Sequence, residues 1–101
     1  MSKEIEIPFN DWGMGKLENG IKYATSRNKR YGEVGDTFKV NGNKYQLTVV
    51  VKLPLWFIAF HLHGTEGCTS SKEFEDIWKE IHPNEGWVDN QQVWYHHFVE
   101  I

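Results

Sequence analysis

Asn41-Gly42-Asn43, lying between Thr37–Val40 and Tyr45–Lys52, constrains this chain more than any other segment. Asn and Gly tolerate the positive φ that a tight hairpin demands, and the flanking runs carry the β-branched and aromatic residues that suit paired strands. The middle of the chain is thereby committed to antiparallel sheet. Gly35-Asp36 supplies the turn before it, and Pro54 ends the return strand. At 101 residues there is room for one domain, 1–101, and no second core. The single cysteine, Cys68, excludes an internal disulfide and fits a reducing compartment.

The remaining elements are placed around that hairpin. Asn10-Asp11 caps a short helix over Trp12 to Leu17, ended by Asn19-Gly20. Tyr23 to Arg27 reads as a strand, and Leu55 to His63 as a short helix with Leu55, Ile58, Ala59 and Leu62 at helical spacing. Thr69-Ser70-Ser71 caps a helix whose apolar face is Phe74, Ile77, Trp78 and Ile81, ending near His82-Pro83. Val93 to Ile101 is a closing strand, with Val93, Tyr95, His97 and Val99 alternating with Trp94, His96, Phe98 and Glu100. The expected fold is α+β, a small sheet or barrel with two or three short helices.

Charge narrows the function. The formal net charge of -3 argues against binding nucleic acid through bulk electrostatics, so no DNA partner is expected. The charge is polarised, however: Lys22, Arg27, Lys29 and Arg30 are gathered in one stretch, whereas acids dominate from Glu66 to Asp89. The first six residues carry acids where a secretory leader needs apolar residues, and the longest apolar run, Leu53 to Phe60, is too short to cross a bilayer. A soluble cytoplasmic protein with no membrane partner is expected.

Site chemistry concentrates in Gly20-Ile21-Lys22-Tyr23-Ala24-Thr25-Ser26-Arg27, which sets an amine, a hydroxyl and a guanidinium close together. Such groups can act as base, nucleophile and anion holder, although they also decorate ordinary solvated strands. Alternation sends side chains three apart to opposite faces, so Lys22 joins Thr25 only if it sits in a bend before the strand. His61, His63, Cys68, His82, His96 and His97 are zinc-ligand types, but their spacing fits no structural site. No metal and no cofactor are expected, and Cys68 reads as an inert small residue.

The series Gly20-x-Lys22-x-x-Thr25-x-Arg27, Gly35-Asp36-x-Phe38, Glu66-Gly67, Glu73-Phe74, Trp78 and a closing aromatic strand resembles the ASCH domains of the PUA-like superfamily. That resemblance runs from about Trp12 to Phe98. It implies a small β-barrel flanked by helices, with a cleft facing RNA or a nucleobase. One branch of the family removes the acetyl group from N4-acetylcytidine with a lysine, a threonine and a glutamate. Carried over, these fall on Lys22, Thr25 and Glu66. Ile21 and Tyr23 depart from that branch, which more often has a basic residue and a second threonine there. Arg27 would orient the ligand, and Tyr23 and Trp12 flank the motif as stacking candidates. Two alternatives stay open beside the amidohydrolase: a noncatalytic RNA-binding module, and a ribonuclease with His61 or His63 near Glu66 as acid and base.

Overall fold

In the computed structural model, which describes residues 2–101, four antiparallel strands form one curled sheet, a half-barrel, in the order β1-β4-β3-β2. The elements are α1 (Asp11–Glu18), β1 (Ala24–Arg27), β2 (Thr37–Val40), β3 (Asn43–Pro54), α2 (Leu55–Phe57), α3 (Ser71–Ile81) and β4 (Gln92–Glu100). A π turn, Ile58–Leu62, continues α2.

The β2–β3 hairpin forms where the sequence places it. Val40 pairs with Asn43 across Asn41 and Gly42, whose φ values of 50° and 84° are those of a two-residue hairpin turn. β3 is longer than expected, reaching Pro54, which also stands at the N-cap of α2 with extended φ and ψ. A lone proline at the end of a strand loses no ladder bond further on. The segment after it is helical, but it widens to π geometry at Ile58 while keeping Leu55, Ile58 and Ala59 buried.

A bulge on β3 between Leu47 and Val49 leaves Thr48 outside the pairing with β4. Such a bulge strengthens local twist, and here it accompanies the curl of the sheet. Each face of the sheet then covers its own apolar cluster. On one face Phe38, Val40, Tyr45, Leu47 and Phe98 pack with Ile7 and Leu17. Its rings meet edge-on or offset, with Phe38 and Phe98 5.1 Å apart at 88°. On the other face Ala24, Val93 and Tyr95 pack against Leu55, Ile58, Phe74 and Trp78.

α3 begins as the sequence predicts. Ser70 Oγ accepts from Glu73 N, and Glu73 Oε1 accepts from Thr69 N, so the turn's first donors are satisfied. Phe74 and Trp78 are buried, whereas Ile77 is half-buried and Ile81 exposed. α1 is capped by Asn10, whose Oδ1 accepts from Gly13 N at 2.8 Å. No helix among the described residues is long and apolar enough to cross a membrane.

Candidate active site

A cleft of about 640 Å³ lies between α1, the start of β1 and α3. Its floor is made by the bend before β1. Lys16 O, at the end of α1, accepts from Ile21 N and Lys22 N, which holds Lys22 in a bend just ahead of the strand. The next two amides, Tyr23 N and Ala24 N, both donate to Thr65 O at 2.8 and 2.9 Å. These two bonds dock the 63–68 turn against β1. Thr65 Oγ1 is held in turn by the Tyr95 hydroxyl at 2.7 Å, a phenol whose pKa burial pushes up to about 12.

Docking this turn delivers Glu66. Gly67, with φ +89°, permits the approach, because a Cβ there would stand 3.1 Å from Lys22 Cβ and 3.3 Å from Lys16 Cβ. An L side chain fits neither that backbone nor that gap. Lys22 Nζ donates to Glu66 Oε1 at 3.2 Å and to the Glu66 carbonyl at 3.1 Å, and both side chains are buried. The second carboxylate oxygen, Oε2, accepts from Ser26 Oγ at 2.5 Å, the short limit for a hydroxyl meeting a carboxylate.

Thr25 sits on the neighbouring register of β1. It pairs with His96 on β4, whereas Ser26 pairs with Tyr95, so the two adjacent hydroxyls belong to opposite faces of the strand. Both still line the cleft, which wraps the strand end. Thr25 Oγ1 accepts from Arg27 Nε at 3.0 Å. The Arg27 guanidinium also donates to Pro8 O at 2.6 Å and lies over the rings of Phe9 and Tyr31 at 4.9 and 5.5 Å. Burial lowers its pKa from the ordinary value, yet an arginine stays charged at neutral pH. It is a fixed cation at the mouth of the cleft.

The sequence-predicted residues are therefore divided. Lys22, Thr25, Glu66, Arg27 and Trp12 all line the cleft. Trp12 stands beside the cations, with Lys16 Nζ 5.5 Å and Lys22 Nζ 6.0 Å from its ring. Tyr23 is not in the lining: it is exposed, with its ring edge-on to His97 at 5.4 Å. Sequence reasoning passed over Ser26. The same alternation that separated Lys22 from Thr25 puts Ser26 four residues on, and it is this hydroxyl that shares Glu66 with the lysine.

The far wall comes from α3, with Phe74, Ile77 and Trp78 apolar and His82 stacked on Trp78 at 4.0 Å. Cys68 also lines the cleft, but burial and then the Glu66 charge raise its thiol to about 12, so it is protonated and unreactive. Among the described residues that line the cleft, the cations Lys22, Arg27 and Lys29 stand against the carboxylate of Glu66 alone. A chain of net negative charge thus presents a positive cleft.

The other histidines are scattered. His61 packs on Phe57, His63 Nδ1 bonds Ala59 O, and His97 faces Tyr23, none of them in the cleft lining. Among the described residues no three His, Cys, Asp or Glu side chains gather at one point.

The architecture is shared with solved structures. The ASCH domain from Lactobacillus crispatus JV V101 superposes with a TM-score of 0.66 at 15% identity, over 98% of this chain and 79% of that one. Protein EF3133 from Enterococcus faecalis V583, assigned to DUF984, gives 0.65 at 15% identity, over 99% and 79%. The hypothetical protein PH0355 gives 0.68 at 14% identity, over 100% of both chains. The sequence itself matches no family model and no curated protein at a significant level. The chain has an ASCH-like fold, the small α+β architecture that its motifs resemble.

Proposed function

We propose that the cleft binds a modified nucleoside, free or within RNA, and hydrolyses the N4-acyl amide of a cytidine. The observation that carries this is the buried Lys22–Glu66 pair at the floor of a cleft that also presents hydroxyls from β1. Amide hydrolysis calls for a nucleophile, a base to take its proton and a donor for the leaving nitrogen. Glu66 can take the nucleophile's proton and return it to the leaving nitrogen, Lys22 holds that carboxylate in place, and Thr25 stands in the same wall. Arg27, fixed by Thr25, Pro8 and two aromatic rings, supplies a cation for a ligand oxygen. Trp12 offers a face for a base. The volume of about 640 Å³ suits a nucleoside-sized ligand.

The test is release of cytidine from N4-acetylcytidine. Wild type turns over, Lys22→Ala and Glu66→Gln do not, and Thr25→Ala is impaired. A folded wild type with no turnover would sink the enzymatic reading.

A second reading, RNA binding without turnover, draws on the cations beside the cleft. Lys29 lies 4.7 Å from the Tyr31 ring, and Arg30 and Lys52 lie 5.3 and 5.7 Å from the Trp94 ring, a basic and aromatic surface suited to a single strand. Salt-dependent affinity for short RNAs by a protein that leaves N4-acetylcytidine intact would select it. The ribonuclease reading needs His61 or His63 beside Glu66 in the cleft, and neither lines it.

A further inference from the structure

We propose that Ser26 is the nucleophile of this site, and that Thr25 serves to fix Arg27. The inference rests on the hydrolytic reading above and names the atom that carries the acyl group. Two hydroxyls of β1 line the cleft, and their hydrogen bonds assign them different work. Thr25 Oγ1 accepts from Arg27 Nε and has no bond to Glu66 or Lys22. Ser26 Oγ donates to Glu66 Oε2 at 2.5 Å, which is the contact a nucleophile makes with its general base. The base is oriented in its turn: Lys22 Nζ holds the other oxygen, Oε1, at 3.2 Å and the Glu66 carbonyl at 3.1 Å. Hydroxyl, carboxylate and ammonium thus form one chain, all buried and all in the lining of the cleft. Nucleophile, base and a third group that orients the base are the parts that an activated hydroxyl requires.

The step balances without a further reactant. Ser26 Oγ attacks the carbonyl carbon of the acyl amide while its proton passes to Glu66. The C–N bond then breaks, and the amine leaves with a proton returned from Glu66, giving an acyl ester on Ser26. Water attacks that ester with Glu66 again taking the proton, the carboxylic acid is released, and Ser26 recovers its hydrogen. Lys22 holds the Glu66 carboxylate through both halves of the cycle.

The experiment locates the acyl group. Wild type, Ser26→Ala, Ser26→Thr and Thr25→Val are each treated with p-nitrophenyl acetate, quenched in acid and mapped by peptide mass spectrometry, and each is assayed on N4-acetylcytidine. Circular dichroism confirms that each is folded. The expected result is acetyl on Ser26 in wild type, and on the hydroxyl introduced at the same position in the Ser26→Thr variant. The Ser26→Ala variant should carry none and lose about 1,000-fold in kcat. Thr25→Val should keep acylation at Ser26 and raise KM, through the loosened Arg27. Acetyl on Thr25, or Ser26→Ala turning over within about threefold of wild type, overturns the assignment while leaving the hydrolase intact. Acetyl on Ser26 in a wild type that ignores N4-acetylcytidine supports the nucleophile and removes that substrate. A folded wild type that neither acquires acetyl nor turns over removes both.

Discussion

Two buried regions of this protein are built on opposite plans. The aromatic cluster of Phe38, Tyr45 and Phe98 is assembled from β2, β3 and β4, and each ring is fixed by strand alternation and ring-on-ring packing. The floor of the cleft is assembled from a bend, a strand end and a turn about forty residues further on, and its interior groups are Lys22, Ser26 and Glu66. Apolar burial is additive and forgiving of direction, whereas a buried charge is tolerable only while its partner stays in place. One region stabilises the fold, and the other draws on that stability to hold reactive groups out of water.

The strongest way to break the aromatic side is Phe98→Ala. It opens a cavity at a fully buried ring, and about 3–5 kcal/mol of stability should be lost, read from urea denaturation. A domain of this size has about 5–15 kcal/mol in total, so the variant should be close to unfolding. No second substitution nearby is expected to restore it short of refilling the volume.

The charged side should behave differently. Lys22→Met leaves Glu66 buried with only Ser26 for a partner and should cost about 3 kcal/mol. Adding Glu66→Leu removes the stranded charge, and the double variant should regain at least about half of that loss while remaining inactive. Additive losses in the two-site cycle would mean that the pair does not act as a unit. Gly67→Ala comes next, at about 1–3 kcal/mol, because alanine disfavours φ +89° and its Cβ meets Lys22 at 3.1 Å. Its effect on turnover should exceed its effect on stability, since displacing the 63–68 turn carries Glu66 away from Ser26.

The same contrast explains what the sequence reveals. The hairpin, the capped helix α3 and the alternation of β4 are local patterns, and their expected positions agree with the structure to within a few residues. Lys22 is legible as site chemistry in its own run, but Glu66 is legible only through resemblance, since nothing in either neighbourhood says that Thr65 O will bond two amides of the 20s. Ser26 was hidden for a subtler reason. Strand alternation places Ser26 on the face opposite Thr25, yet the cleft takes side chains from both faces of the strand end. Tyr23 was misleading in the opposite sense, adjacent to the motif in sequence and turned toward His97 in space.

The smallest effect to measure lies where the two regions meet, at His96. This ring is fully buried, accepts from Tyr31 N at Nε2 and donates from Nδ1 toward Thr25 O, a pattern that requires the neutral imidazole. Burial, opposed by the bond to Thr25 and reinforced by Arg27 and Arg30, lowers its pKa below the ordinary 6.5. The unfolded chain therefore binds the proton more readily. Its contribution to stability is complete above about pH 6.5 and is lost as pH falls from there through the depressed folded value, with a slope of at most about 1.4 kcal/mol per pH unit. His96→Gln, which can keep one donor and one acceptor, should flatten the part of the curve below about pH 6.5. Because Tyr31 stacks on Arg27, protonating His96 should also loosen the guanidinium, so acid should raise KM in the wild type before it unfolds the domain. Acid sensitivity of equal slope in the glutamine variant would place the titrating group elsewhere, and would detach the cleft from the core beneath it.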